Sequence, residues 1–327
     1  MLALILSGLA PSASSETEPR AGMADPPPSD LPRAELRGLL EDVPGAAGYR
    51  YDTKDIAGQT MDTVKIVPRP SGGYLAFYHS SVGGSFHVSV ATSTDLVNWT
   101  FRRQFGAGSS QPTVASAGNG FVVAWEQEPS NHLAFRYFPS EEALLTDAPA
   151  RSFDAPLRLS ACAEGTPNIY SVTLAPDIDH SRIEVGGHYF ANCAVDRQQR
   201  GVLTNFSTWT TSRQGNYDNA LLHWGVRGNI GDRDVLRFRG FHYGVVEGQY
   251  AKGDFRSWRT FLYDYQTGNA DRTSIRTHGG STAFANPTAT VLRAPGGRPA
   301  AVFTLFIPSE GAAPREAGSL IYFHYLK

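Results

Sequence analysis

Cysteine, lysine and long apolar runs are all scarce in this chain of 327 residues. Only Cys162 and Cys193 are present, which excludes a zinc ribbon, an iron–sulfur cluster and a disulfide-dense scaffold but allows one disulfide. Lysine accounts for only four of the 29 basic residues, and 31 acidic residues bring the net charge to −2. A chain with this balance offers no basic surface for nucleic acid or for an anionic membrane.

The N-terminal region divides into three short segments before the main domain. Its apolar start, residues 2–10, is shorter than the roughly 20 residues that span a bilayer, and small residues follow it. We therefore predict a signal peptide over residues 1–15 and a secreted protein. Residues 16–33 are rich in Ser, Pro, Glu and Ala, which predicts a disordered linker. Leucines at helical spacing predict a short helical lead-in over residues 34–49.

From residue 50 onward the helical period gives way to repeated β-hairpins. Strands rich in β-formers flank tight turns in five segments of similar design, which are residues 63–79, 113–127, 168–192, 235–249 and 288–306. The residues that open these hairpins recur at steps of 50 to 65 residues, a period that suits four-stranded propeller blades better than ankyrin, TPR or leucine-rich repeats. We therefore predict an all-β fold, a five-bladed β-propeller over residues 50–327. The alternative is a β-sandwich whose turns are similar by coincidence.

Sequence motifs exclude several other chemistries. There is no Walker loop, no dinucleotide-binding glycine pattern, no H-E-x-x-H and no G-x-S-x-G, so nucleotide-dependent and serine-hydrolase functions are not indicated. One motif does repeat. Residues 95–99, 205–209 and 254–258 share the form (D/N)-(L/F)-x-x-W, which predicts a recurrent turn on the outer side of the blades.

Propeller geometry predicts which polar residues meet. The first strand of each blade lies against the central channel, and the antiparallel second strand returns to the same mouth of that channel. The openings of the first strands bring seven polar residues there, namely Asp62, Gln111, Glu164, Asp232, Arg233, Asp234 and Asn286. The ends of the second strands bring six more, namely His79, Glu126, Glu128, Asn192, Glu247 and Gln249.

Carboxyl groups are the unusual members of this set. Burying a lone charge beside apolar strands costs several kcal/mol unless the charge is paired or neutralised. Glycoside hydrolysis requires a carboxyl cluster, with one carboxyl protonated as acid and another ionised as base or nucleophile. The pattern therefore predicts a glycoside hydrolase. The alternative is a catalytically silent propeller that binds sugar or protein.

Several segments resemble five-bladed glycoside hydrolases of the family 43, arabinanase and arabinofuranosidase type. Residues 89–99 look like the first-blade turn of that family. The hairpin that Asp62 opens is similar to the family's first inner strand, whose leading Asp is the general base. Residues 162–167 resemble its Glu-Gly-Pro motif, whose Glu is the general acid. Residues 231–234 are similar to the Arg-Asp-Pro motif of fructan-acting propellers, in a different chain order.

These positions and the resemblance together suggest roles for four acids. Asp62 is expected to act as base or nucleophile and Glu164 as acid, while Asp232 or Asp234, beside Arg233, tunes the acid or holds a sugar hydroxyl. The substrate-binding candidates are Arg233, Gln111, Glu126, Glu247, Gln249 and Asn286. The resemblance favours an arabinan-type furanoside as the substrate.

Each catalytic assignment has a structural alternative. Asp62 could cap the start of its strand through a backbone hydrogen bond. Glu164 could belong to a solvated loop, in which case Glu247 is the next candidate for the acid. Asp232 and Asp234 could form a structural ion pair with the arginine between them.

The expected partners are few. The partner is a carbohydrate, with no nucleic acid and no membrane, and the chain is expected to be a monomer. No cofactor is required and no metal ligands are assigned, although the channel could hold a structural cation, with His278 as a helper. Cys162 and Cys193 flank the third hairpin and are expected to form a disulfide in an exported protein.

Overall fold

The computed structural model describes residues 27–327, apart from the side chains of Asp232 and Arg233. Helix α1 (Asp30–Glu41) opens this part of the chain, and strand β1 (Gly48–Arg50) follows it. The predicted signal peptide and residues 16–26 of the predicted linker lie outside the described residues.

Helix α1 begins earlier than the leucine spacing indicated, so the predicted linker does not extend through residue 33. The Ser29 hydroxyl donates to Asp264 Oδ2 (2.7 Å), and the Arg33 guanidinium lies 3.3 Å from the same oxygen. Leu36 and Leu40 are buried. A residue 235 positions away thus fixes the start of the helix, which local composition could not show. The helix ends at Glu41 and does not continue to residue 49.

Blades 1 to 4 each follow the chain order of their strands, and the sheets are antiparallel. Blade 1 contains β2 (Asp62–Pro68), β3 (Tyr74–Val82), β4 (Ser85–Ser93) and β5 (Thr100–Ala107). Blade 2 contains β6 (Ser109–Ala117), β7 (Gly120–Gln127), β8 (His132–Phe138) and β9 (Arg151–Asp154). Blade 3 contains β10 (Glu164–Leu174), β11 (Ser181–Ala191), β12 (Val195–Thr204) and β13 (Thr208–Arg213). Blade 4 contains β14 (Ile230–Phe238), β15 (Phe241–Gln249), β16 (Trp258–Asp264) and β17 (Asn269–Arg272).

Blade 5 closes the ring by combining both ends of the domain. It contains β18 (Ala285–Arg293), β19 (Pro299–Ile307) and β20 (Gly318–Tyr325), with β1 as its outermost strand. Gly48 pairs with Phe323, and a Cβ at Gly48 would lie only 2.6 Å from the Phe323 ring. The predicted five-bladed propeller is therefore confirmed, and it begins at residue 48 because β1 belongs to the last blade.

Two short helices lie within the region where almost no helix was expected. Helix α2 (Glu141–Thr146) connects β8 to β9, and helix α3 (Gly215–Leu222) connects β13 to β14. The Ser140 side chain accepts a hydrogen bond from the Ala143 N–H and caps α2, a local signal that hairpin periodicity does not include. Across the described part of the chain, none of the helices combines the length and apolar composition that crossing a membrane requires.

Apolar side chains fill four of the five boundaries between neighbouring blades. One cluster joins blades 4 and 5 and includes two leucines of α1. Three further clusters join blades 5 and 1, blades 1 and 2, and blades 2 and 3. A fifth cluster combines α3 with blade 4. Among the described residues, it includes none from blade 3. The boundary between blades 3 and 4 is therefore packed differently from the others.

Cys162 and Cys193 form the predicted disulfide, with Cα atoms 5.7 Å apart and a sequence separation of 31. Replacing both cysteines by serine is expected to lower the free energy of unfolding by about 3 to 4 kcal/mol, because the unfolded chain regains the entropy of that loop. Urea denaturation of the wild type and the double variant measures the difference. Two free thiols in the unfolded, unreduced wild type would contradict the bond.

Asp218 of α3 is a buried acid whose ionisation opposes folding. Burial raises the pKa of its carboxyl to about 7, although the Gln198 N–H, which donates to Oδ1 (2.9 Å), and the Arg197 charge oppose the shift. An unfolded aspartate has a pKa of about 3.9. The folded state therefore retains a proton that the unfolded state releases, and stability falls as the pH rises between these two pKa values.

Asp218→Asn is expected to remove this part of the pH dependence, which linkage puts at up to about 4 kcal/mol. The asparagine keeps an acceptor oxygen for the Gln198 N–H but cannot ionise. Urea midpoints should be similar for variant and wild type near about pH 4, and higher for the variant above about pH 7. Parallel pH profiles for the two proteins would contradict the role of this carboxyl.

Candidate active site

One mouth of the channel forms where first strands begin and second strands end. Five residue pairs mark it, namely Asp62 with His79, Ser110 with Glu126, Gly165 with His188, Gly231 with Glu247, and Ala285 with Phe306. A register shift follows within a few residues in every first strand. Four residues at these bulges have φ between 49° and 54°, namely Thr63, Gln111, Thr166 and Asn286. Bulges of this kind bend a strand and redirect its side chains.

These strand ends surround a cavity of about 500 Å³, which we call the mouth cavity. Six of the residues predicted at the mouth line it, namely Asp62, His79, Gln111, Glu126, Glu247 and Asn286. Aromatic side chains also line it, namely Phe86, Phe190, Phe255, Trp258 and Phe306. The structure therefore brings polar groups from several blades together with apolar ring surfaces.

Asp62 is held at the start of β2 through one of its two carboxylate oxygens. Its Oδ1 accepts hydrogen bonds from the Thr63 N–H (2.7 Å) and from the Asn286 side-chain amide (2.8 Å). Its Oδ2 lies 3.6 Å from His79 Nε2. Because the donors on Oδ1 come from two blades, the carboxylate orientation is fixed by tertiary structure.

Glu247 lies next to Asp62 around the mouth, with Asn286 between them. The Asn286 N–H donates to Glu247 Oε2 (2.5 Å), while its side chain donates to Asp62. Asn286 thus spaces and orients two carboxylates of the mouth cavity. Gln111, on the other side of Asp62, accepts a hydrogen bond from the Thr63 hydroxyl (2.8 Å) and donates its N–H to His79 Nδ1 (3.3 Å).

Glu126 projects from β7 to the start of blade 3. Its Oε1 accepts a hydrogen bond from the Asn131 side chain, and its Oε2 accepts one from the Thr166 N–H (3.1 Å). A Cβ at Gly165 would lie 1.9 Å from Glu126 Oε2. The carboxylate therefore occupies the space that a side chain at the second residue of β10 would fill, and glycine is required there.

Glu164 does not reach the mouth cavity, so the predicted acid is placed elsewhere. Its Oε1 accepts hydrogen bonds from the backbone N–H groups of residues 158, 159 and 160, at 2.7, 2.5 and 3.2 Å, and the residue is buried. Successive residues of a strand point to opposite faces. Since Gly165 faces the mouth, Glu164 faces the preceding loop and organises it.

Asp234 is also absent from the mouth. Beyond the bulge of β14 it is buried and pairs with Lys65 of blade 1, whose Nζ lies 2.5 Å from Asp234 Oδ2. The Ala289 N–H donates to the same oxygen (2.9 Å). Burial raises the pKa of Asp234 and the Lys65 charge opposes that shift. Asp234 thus has a structural ion pair with Lys65, a residue of a different blade.

Two further candidates lie away from the cavity. Gln249 is buried, and its side chain contacts the backbone of Asp254 (3.2 Å) and Gly253 (3.3 Å), so it holds the turn after β15. The His278 ring lies 4.4 Å from the Tyr49 ring on β1, the outermost strand of blade 5, and not in the channel. The side chains of Asp232 and Arg233 lie outside the described residues.

Sequence reasoning missed a polar group on the blade 3 side of the cavity. His188 Nε2 lies 3.6 Å from Asp196 Oδ1, and the Asp196 N–H donates to Asn229 Oδ1 (3.1 Å). All three residues line the mouth cavity. The signal available was the position of His188 near the end of a second strand. Among the side chains that the structure describes, no group of three His, Cys, Asp or Glu is arranged to hold a metal ion.

Solved structures share this fold, although no protein-family model and no curated protein matches the chain. An exo-1,5-α-L-arabinanase from a bovine ruminal metagenomic library has a TM-score of 0.54 at 11% identity, over 82% of this chain and 93% of that chain. A thermostable family-43 glycoside hydrolase has a TM-score of 0.51 at 14% identity, over 85% and 93%. An α-L-arabinofuranosidase from Lactobacillus brevis has a TM-score of 0.51 at 8% identity, over 80% and 90%. The chain has the fold of these glycoside hydrolase structures.

Proposed function

We propose that this protein is a glycoside hydrolase that cleaves a furanoside-containing saccharide, of arabinan type, in the mouth cavity. The observation that carries the proposal is the convergence on one cavity of four carboxylates from four different blades, namely Asp62, Glu126, Asp196 and Glu247. The similarity to an arabinanase and an arabinofuranosidase supports the choice of sugar.

Asp62 is the base or nucleophile in this proposal. Its Oδ1 is engaged by two donors, so we assign the reaction to Oδ2. This oxygen either takes a proton from the water that attacks the anomeric carbon or attacks that carbon itself. In either case the anomeric C–O bond breaks and its electron pair leaves with the glycosidic oxygen.

Glu126 is the acid that protonates this leaving oxygen. Its carboxyl group lies beside Gly165 at the start of blade 3. The family resemblance places the acid in this same region. The donors Asn131 and Thr166 hold the carboxyl at a fixed orientation toward the cavity. A positioned acid of this kind contributes about 10² to 10⁴ in rate.

Asn286 and Glu247 are positioning residues for Asp62. Asn286 donates to both carboxylates, through its side chain to Asp62 and through its backbone to Glu247. The exposed rings of Phe86 and Phe255 at the edge of the cavity supply apolar faces on which sugars can stack. Such contacts bind substrate without taking part in proton transfer.

Export is part of the proposal. The disulfide between Cys162 and Cys193 supports it, because such bonds persist in oxidising compartments and are rare in the cytosol. The apolar N-terminal segment is consistent with a secretion signal. Fractionation of an expressing culture tests this directly, and protein retained with free thiols in the cytosol would contradict it.

A non-catalytic carbohydrate-binding propeller is the second candidate. Glu164, the acid that the resemblance indicated, binds the loop at residues 158–160 and does not line the cavity. Incubation with arabinan, D-arabinan, fructan and xylan, followed by chromatography of released sugars, separates the two candidates. We expect products from an arabinan. Binding to one of these polymers without any product would support the second candidate instead.

A further inference from the structure

The boundary between blades 3 and 4 holds a second cavity, of about 300 Å³, which we call the seam cavity. Its polar lining consists of Tyr170, Ser171, Glu184, Arg200, His242 and Tyr265. The other four boundaries are filled by apolar clusters, whereas the described residues form no such cluster here. Leaving a boundary polar and open forgoes the stabilisation of apolar burial, so this boundary suggests a role in binding.

The seam cavity lies toward the end of the blades opposite the mouth cavity. Tyr170 and Ser171 are in the second half of β10, and His242 is near the start of β15. The mouth cavity, in contrast, is lined by starts of first strands and ends of second strands. The two cavities share no lining residue.

Side chains around the seam cavity are held in place by one another. Arg200 pairs with Glu184 (2.6 Å) and its guanidinium lies 4.0 Å from the centre of the Tyr170 ring. The hydroxyls of Tyr170 and Tyr265 lie 2.5 Å apart. A Cβ at Gly244 would lie 3.3 Å from the Tyr265 hydroxyl, so this glycine lets the tyrosine pack close to β15. The polar groups are therefore preorganised before any ligand arrives.

The chemistry of this lining suits a neutral polyhydroxylated ligand. Arg200 and Glu184 neutralise each other, so an anion would meet the carboxylate and a cation would meet the guanidinium. Hydroxyl groups of a sugar can accept hydrogen bonds from guanidinium N–H groups and donate to carboxylate oxygens. Tyrosine rings offer apolar faces beside polar hydroxyls.

We propose that the seam cavity is a second saccharide-binding site, which binds a unit of the same polymer that the mouth cavity cleaves. The identity of that polymer rests on the proposed function, but binding at the seam does not require catalysis. A polymer that occupies both cavities gains affinity from the linkage between its units. Short oligosaccharides that fill only the mouth cavity gain nothing from the seam.

Two variants remove the seam site in different ways, both in the Asp62→Asn background so that the polymer stays intact. Ser171→Trp fills the cavity from an exposed position, and Arg200→Ala removes the guanidinium. Arg182→Ala is the matched control, because Arg182 also contacts Glu184 (2.9 Å) but does not line the cavity. Affinity electrophoresis in gels containing arabinan, fructan or xylan measures binding, and circular dichroism checks folding.

We expect the apparent dissociation constant for the polymer that retards the protein to rise about tenfold to a hundredfold in both seam variants. Loss of hydrogen bonds to a charged group predicts an effect of this size. The constant should stay unchanged in Arg182→Ala. With Asp62 restored, turnover of arabinotriose should match the wild type in all three variants. Unchanged retention of folded Ser171→Trp would overturn the seam site and leave the proposed function intact. If the seam variants are no longer retarded by the polymer and the wild type hydrolyses none of the polymers, the proposed function alone would be overturned. Retention by none of the three polymers would overturn the seam site.

Discussion

Replacing Asp62 by asparagine is expected to lower turnover of the true substrate by about 10² to 10⁴, the usual contribution of a positioned base. The side chain keeps its size and an oxygen that can accept from the Thr63 N–H and the Asn286 amide. Only the ability to take a proton or to attack carbon is lost, so kcat should fall while substrate binding is retained. Rates of sugar release at saturating substrate measure the effect.

Asp52→Asn is the matched control for this variant. Asp52 is an exposed carboxylate that pairs with Lys54 (2.9 Å) and does not line the mouth cavity. Its φ of 45° suits asparagine as well as aspartate. Turnover of the control should equal that of the wild type. An Asp62→Asn variant that is folded and equally fast would remove Asp62 from the reaction.

Glu126→Gln is the second change with a large expected effect, and Glu164→Gln is its counterpart. Loss of the acid should lower turnover by about 10² to 10⁴ on saccharides with poor leaving groups. The loss should be far smaller on an aryl glycoside whose phenolate leaves without a proton. Glu164→Gln should instead weaken the loop at residues 158–160, because that carboxylate accepts three backbone N–H groups, with turnover per folded molecule unchanged.

Comparing the two leaving groups separates acid catalysis from a structural effect. A Glu126→Gln variant that loses equal activity on both substrates would indicate damage to the cavity rather than loss of a proton donor. An activity loss confined to the poor leaving group in Glu247→Gln, and absent from Glu126→Gln, would assign the acid to Glu247.

The propeller could be predicted from the sequence because every blade repeats the same hairpin. The faces on which the site residues lie could not be predicted in the same way, because a bulge shifts the strand pairing near the start of each first strand. Strand pairing aligns Asp62 with Gly165 of the third hairpin, and Glu164 is one residue before that position. A one-residue shift reverses the face on which a side chain lies, which is why Glu164 points away from the cavity.

Contacts between distant residues account for the other differences. Lys65 meets Asp234 across 169 positions, and no local pattern connects them. Glu126 becomes a strong candidate only because Gly165 leaves space for its carboxylate, which is a property of two blades in contact. The positions of the strand ends therefore predicted which residues meet at the mouth, but not the role of each one.

A crystal structure of the Asp62→Asn variant with an arabino-oligosaccharide bound is the most direct test of the proposed chemistry. We predict that one glycosidic oxygen lies within about 2.6 to 3.2 Å of a Glu126 carboxyl oxygen, with its anomeric carbon directed toward position 62. An oligosaccharide that places no glycosidic bond between these two positions, or that binds only outside the mouth cavity, would contradict this account.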